Sequence, residues 1–180
     1  MRTILNFILT AAVVVLPGSV YAQRVPHTDS GAVGGDVGFY FPTEEGLDAG
    51  PMLEGFYEYY FTPRGSIRIG LGWARPDFEN SDDSHVRIVR VPIDFVYNWE
   101  GGAVHPFVGA GFGAYFLQRR FGGENFGDSE TKLGVTLFGG AEFFTGRTTA
   151  VKAEGRYHSV RRGFVDADGL SLTIGLKKYF

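Results

Sequence analysis

The chain has 180 residues, enough for one domain, and its formal net charge of −3 excludes the strongly basic balance of a nucleic-acid binder. At 44% hydrophobic and 16% aromatic it is too apolar for a disordered chain, and with no cysteine it has neither a disulfide framework nor a lipid-anchoring thiol. Its 27 glycines, its many Phe and Tyr residues and the lack of long Ala/Leu/Glu/Lys stretches point to an all-β exported protein.

The first element is a leader. Arg2 supplies a basic start, Ile4 to Leu16 is apolar except at Asn6 and Thr10, Pro17 and Gly18 break any helix, and Val20-Tyr21-Ala22 has small residues where a signal peptidase reads. The apolar run falls short of the roughly 20 residues that a membrane-spanning helix needs. Residues 1–22 are therefore read as a signal peptide cleaved after Ala22, and 23–180 as a single domain.

Eight segments then alternate with period two, the period at which strand side chains switch faces. Gly31–Phe41 sets Val33, Val37 and Phe39 against Asp36 and Tyr40, and Met52–Phe61 sets Leu53, Tyr57 and Tyr59 against Glu54 and Glu58. Ser66–Ala74 opposes Ile67, Ile69, Leu71 and Trp73 to Arg68, Gly70 and Gly72, and Val86–Tyr97 opposes Val89, Val91, Ile93 and Phe95 to Arg90, Pro92 and Asp94. In Phe107–Phe116 the glycines at 109, 111 and 113 recur every second residue, and no helix-like segment follows. That spacing is not the G-x-G-x-x-G of a dinucleotide-binding turn, so they read as packing space in a strand. Lys132–Phe143 sets Leu133, Val135 and Leu137 against Thr136 and Glu142. Thr149–Ser159 sets Val151, Ala153 and Tyr157 against Lys152, Glu154, Arg156 and His158. Gly169–Phe180 sets Leu170, Leu172, Ile174 and Leu176 against Ser171, Thr173 and Lys177.

The connections alternate in length. Pro42–Pro51, Arg75–His85, Gln118–Thr131 and Val160–Asp168 are long and polar, whereas those at Thr62–Gly65, Glu100–Gly102 and Thr145–Arg147 are tight turns. Segments of about 10 residues suit tilted strands that cross a bilayer, and long loops on one side with tight turns on the other suit an up-and-down barrel. A soluble barrel would turn its bulky face inward. Here the other face carries glycines and charges of both signs, too little for a water-facing wall and well suited to a narrow interior. The bulky face is therefore assigned to lipid, with Phe39, Phe41, Tyr59, Phe61, Trp73, Tyr97, Trp99, Phe116, Phe143 and Phe180 as interfacial aromatics. The expected fold is all-β: an eight-stranded antiparallel up-and-down transmembrane β-barrel.

The residues that carry these patterns also carry a resemblance. HPFVGAGFGAYF at 105–116, RVPIDFVYNW at 90–99 and the final LSLTIGLKKYF resemble the OmpA-like transmembrane and related small outer-membrane β-barrel family, over essentially the whole segment after the leader. The resemblance implies the outer membrane of a Gram-negative cell and a porin-like wall. It implies contact with outer-membrane lipid and lipopolysaccharide, and Phe180 as the terminal aromatic signal read by the barrel assembly machinery. Lys178 departs from the apolar or aromatic residue usual two places before the end. No periplasmic peptidoglycan-binding module is expected after Phe180.

Twelve charged residues fall on the inward face: Asp36, Glu54, Glu58, Arg68, Arg90, Asp94, Lys132, Glu142, Lys152, Glu154, Arg156 and Lys177. Buried charges persist when paired. A lumen-plugging salt-bridge network is expected, with Glu54, Arg90, Glu154 and Arg156 near its centre; a proton or ion pathway is the alternative. EGRYHSVRRG at 154–163 is loosely similar to the His/Ser strand of lipid A deacylases. There the two residues share a face, whereas here His158 and Ser159 are adjacent and face opposite ways, so no triad with Asp166 or Asp168 is expected. Arg119, Arg120, Arg161 and Arg162 are candidate lipopolysaccharide contacts, and Asp82, Asp83, Glu44 and Glu45 read as solvated loop charges. The scattered histidines show no metal-ligand spacing, and no metal, cofactor or nucleic acid is expected. The reading is a non-enzymatic outer-membrane barrel with a structural or surface-interaction role through four long extracellular loops. A lipid A-modifying enzyme and a narrow solute channel are the alternatives.

Overall fold

The computed structural model describes residues 26–78, 81–99, 102–121, 124–125, 127, 129–160 and 167–180. The leader, Arg161, Arg162 and Asp166 lie outside them. The barrel strands, in chain order, are β1 (Ser30–Pro42), β2 (Gly50–Tyr60), β3 (Gly65–Ala74), β4 (Ser81–Asn98), β5 (Val104–Phe121), β6 (Glu130–Phe144), β7 (Thr149–Val160) and β8 (Gly169–Tyr179). Each pairs antiparallel with its sequence neighbours, and β1 pairs with β8 from Ala32↔Tyr179 to Pro42↔Gly169. Phe180 extends that seam, its N–H donating to Gly31 O at 2.9 Å and its carbonyl accepting from Gly31 N at 3.2 Å. The eight strands thus close into a ring with no free barrel edge, the arrangement that satisfies backbone groups where no water can reach.

The side chains sort as the period-two pattern requires. Leu71, Leu133, Leu137, Leu176 and Phe95 stand on the outer wall, where Leu133 remains 68% exposed, while Arg68, Arg156, Lys152 and Lys177 are fully enclosed. A monomer in water would not leave so many large apolar side chains exposed and bury its charges. A bilayer reverses that preference.

The strands β4 and β5 are longer than the hydrophobic pattern suggested. The ladder continues to Ser84↔Phe121, beyond the Val86 and Phe116 limits read from the sequence, and Asp77–Phe78 and Glu124–Asn125 add short pairings at its rim. Hydrophobic alternation marks the length of strand within lipid. Backbone pairing persists above it, where polar side chains occupy both faces and leave no periodic signal.

The interior follows a simple pairing rule, in which a large residue on one strand lies opposite a glycine on the next. Register places Asp94 opposite Gly111, Asp36 opposite Gly175, Arg90 opposite Gly72, Phe138 opposite Gly109 and Phe56 opposite Gly34. A methyl group at Gly111 would overlap Asp94 Oδ1, and one at Gly72 would come within 2.7 Å of Arg90 Nε. The glycines at 109 and 111 are thus the floor on which Phe138 and Asp94 lie. Gly111→Ala should lower stability by about 1–3 kcal/mol through overpacking. Gly55→Ala is the control: its methyl meets nothing within 4 Å on the lipid-facing wall, so its effect should stay within about 0.5 kcal/mol. Urea unfolding of both variants in lipid vesicles checks the pair.

Candidate functional site

The lumen is layered from the tight-turn end to the long-loop end. At the turn end Ala32, Tyr60, Ala150 and Tyr179 pack together with Phe144 against them. Just inside, Lys177 Nζ bridges Glu58 Oε2 (2.8 Å) and Glu142 Oε1 (2.7 Å), donates to the Tyr60 hydroxyl, and lies between the rings of Tyr60 and Tyr179 at 5.2 and 5.0 Å. The Tyr179 hydroxyl donates to Glu142 Oε2.

Glu154 is the hub of the middle layer. Its Oε2 accepts from Arg68 Nη1 at 2.8 Å and Lys152 Nζ at 2.9 Å, and its Oε1 accepts from Arg156 Nε at 2.9 Å. Arg68 reaches on to Glu58, Lys152 to Asp36 (2.6 Å) and Arg156 to Asp94 (2.8 Å), so one carboxylate links three cations to three further acids. Aromatic rings separate these charges. The Arg156 guanidinium lies 4.1 Å from the Phe138 ring centre, and Arg68 lies 4.7 Å from that of Phe56. Two β7 residues of one face, Lys152 and Arg156, flank Glu154 because alternation returns every second side chain inward.

Glu54 pairs with Arg90. The Arg90 Nη1 also lies 3.2 Å from His158 Nδ1, and the Tyr115 hydroxyl lies 3.0 Å from the same nitrogen. A guanidinium can only donate, so Nδ1 accepts, and the imidazole carries its proton on Nε2 and donates to Ser171 Oγ at 2.9 Å. Beyond this layer Tyr40, Met52, Val86, Ile88, Leu117, Val160 and Ala167 close the loop end.

Buried in this lumen are six acids, Asp36, Glu54, Glu58, Asp94, Glu142 and Glu154, and the six predicted cations, Arg68, Arg90, Lys132, Lys152, Arg156 and Lys177. Lys132 pairs with half-buried Glu130 at 3.2 Å where β6 begins. Sequence reasoning did not single out Ser66, Tyr60, Tyr115, Tyr179 and Ser171 as partners of these charges, although alternation puts each on the charged face. His158 and Ser159 do lie on opposite faces, Ser159 paired with Val135 on the outer wall. Asp168 fastens the chain before β8, accepting from Val160 N through Oδ1 at 2.6 Å and from Thr43 N through its carbonyl at 2.9 Å. No grouping of three metal-ligating side chains occurs among the described residues.

The candidate lipopolysaccharide arginines separate. Arg119 shares a face with buried Val86, toward the lumen mouth, whereas Arg120 shares the outer face with His85. The outer wall there also holds Arg75 and Arg87, which sequence reasoning passed over because each is a lone charge in the chain and they converge only through strand pairing.

Removal of the hub charge should be severe, because it strands enclosed cations. Glu154→Gln should cost about 3–5 kcal/mol, the range for one partner lost from a buried pair. Glu130→Gln, at a partly exposed pair, should cost no more than about 1 kcal/mol. Urea unfolding in vesicles again separates the two.

Several solved barrels share this architecture at low sequence identity. Neisserial surface protein A (NspA) aligns with a TM-score of 0.68 and 14% identity, covering 84% of this chain and 97% of that one. OprG from Pseudomonas aeruginosa aligns at 0.69 and 12%, covering 88% and 99%. Ail of Yersinia pestis aligns at 0.60 and 16%, covering 85% and 99%, and has also been solved with the heparin analogue sucrose octasulfate. These likenesses are likenesses of fold. No curated protein matches the chain in sequence. The family model for the outer membrane protein beta-barrel domain matches residues 8–180, and the chain, a closed eight-stranded barrel with a lipid-facing wall, belongs to that family and to the outer membrane.

Proposed function

We propose that the protein is a non-enzymatic outer-membrane barrel whose closed lumen is structural and whose long loops act at the cell surface. The observation that carries this reading is the filled lumen. Apolar clusters cap both ends, the ion-pair layers lie between them, and the cavity beside His158 measures about 10 Å³. That is the lower limit for a single water. Such a plug leaves the exposed connections, the outer wall and the lipid around it as the places of contact. The solved complex of Ail with the heparin analogue sucrose octasulfate supports the view that a barrel of this shape can carry a surface ligand. Against a deacylase-like reading, His158 and Ser171 meet inside the lumen, both essentially inaccessible. The expected outcomes are no conductance steps in planar bilayers and an unchanged lipid A mass profile in cells with and without the protein. Discrete conductance would sink the plug, and a lost or gained acyl chain would make the protein an enzyme.

The same reading includes export through cleavage after Ala22 and assembly through Phe180. Phe180 stands on the outer wall, its ring 6.3 Å from that of Tyr57 and lying over Gly31, where a lipid-side reader can reach it. Protein purified from outer membranes should therefore have an intact mass that begins at Gln23. Phe180→Ala should reduce the folded fraction recovered there, seen as heat-modifiable migration in gels. A retained leader refutes the first expectation and an unchanged yield the second.

A further inference from the structure

The outer face of β4 and β5 changes character abruptly. Going up the wall, the cross-strand pairs are Ile93↔Phe112, Val91↔Ala114 and Val89↔Phe116, all apolar, and then Arg87↔Gln118 and His85↔Arg120. The outward apolar residues of β4 run from Tyr97 to Val89, close to the 9–11 residues with which a tilted strand crosses the hydrocarbon. Arg87 is thus the first outward side chain above it, at the level of lipid headgroups.

Neighbouring strands bring more cations to this point. Asp77 pairs across with His85, and Arg75 Nε lies 3.5 Å from Asp77 Oδ1, both side chains half-exposed. Directly opposed side chains sit about 5 Å apart and diagonal ones about 7–8 Å, a spacing that one phosphate with its several oxygens can span. Asp77 offsets one of the three guanidiniums, and Asp83 stands two places before His85 in the chain. Among the described residues, Arg120 Nε and His85 Nδ1 are enclosed without a hydrogen-bond partner. Burial, with the positive charge of Arg75, Arg120 and Arg87, holds the His85 imidazole below the usual histidine range, while Asp77 pulls the other way.

We propose that Arg87 and Arg120, with Arg75 and His85 beside them, form an outer-wall site for the phosphate of an anionic glycolipid of the lipid A class, whose acyl chains lie down the wall over Val89 and Phe116. Guanidinium forks suit phosphate oxygens, and the sideways aim of the cluster selects a headgroup in the leaflet over a solute above the loops. The proposal deepens the surface-role reading and rests on its membrane placement, but it does not depend on the closed lumen.

The test uses the full refolded chain in micelles, with native mass spectrometry to count bound lipid. The probes are bisphosphorylated lipid A, its dephosphorylated counterpart and inorganic phosphate. Arg87→Gln/Arg120→Gln should weaken binding of bisphosphorylated lipid A at least about tenfold, the loss of one or more charge-assisted contacts. Arg147→Gln, at the opposite, tight-turn end, should leave it unchanged. On the unaltered protein, lipid A should raise the His85 pKa seen by NMR titration, and inorganic phosphate at the same concentration should not; this readout stands even if the double variant fails to fold. Equal binding by the double variant, equal binding of dephosphorylated lipid A, or an equal His85 response to inorganic phosphate overturns the proposal. Any of these results leaves the conductance and lipid A mass outcomes, and hence the surface-role reading, untouched.

Discussion

Within the hydrocarbon of a bilayer no water is present to accept a backbone N–H or donate to a backbone carbonyl, and every other feature of this barrel answers to that constraint. The seam between β1 and β8, prolonged by the reciprocal Phe180–Gly31 hydrogen bonds, turns a sheet with two open edges into one with none. Closure with eight strands then sets the bore. A ring of that size leaves an interior that side chains alone must fill. Pro92, which has no N–H to give, sits where the β3–β4 register skips Gly70 and Leu71, and it turns inward over the Gly113 position of β5.

A narrow bore explains the glycine content better than chain flexibility does. Five of the bulkiest or most charged inward positions, at 36, 56, 90, 94 and 138, have a glycine as a direct cross-strand partner. The volume gained on one strand is yielded by the next. That arrangement lets four-carbon and guanidinium side chains lie flat across the lumen and meet one another, so Glu154 can touch cations from β3 and from both sides along its own strand. Aromatic faces between the charges supply contact area without new charge. Enclosed ion pairs are weak evidence for net stability, since desolvation offsets attraction, but they strongly disfavour any rearrangement that separates partners. We propose that the lumen network acts chiefly to hold one register and one bore.

On the proposed reading, functional contacts fall to the outer wall and the loops rather than to the lumen. Its apolar belt fixes the depth of the barrel in the membrane, and whatever polar groups stand directly above the belt are held at headgroup level by the same strand register. The extension of β4 and β5 past the lipid matters for this reason. It carries arginines upward on a rigid ladder, where a flexible loop would leave them without a defined spacing.

Much of this was legible in the chain. Alternation in segments such as Met52–Phe61 and Thr149–Ser159 determines which side chains share a face, and the alternation of long and short connections determines an up-and-down order, because both are local consequences of strand geometry. The inward charges, the opposed faces of His158 and Ser159 and the packing role of Gly109 and Gly111 follow from the same period. The partners within the lumen were not legible. Which acid meets which base depends on the register between strands and on distances across the bore, so Glu154 as hub, the Glu54–Arg90 pair, Lys132 beside Glu130 and the His158–Ser171 contact were decided by tertiary structure. So were the true ends of β4 and β5, and the meeting of Arg75, His85, Arg87 and Arg120. Period two tells a residue its face; only closure of the ring tells it its neighbour.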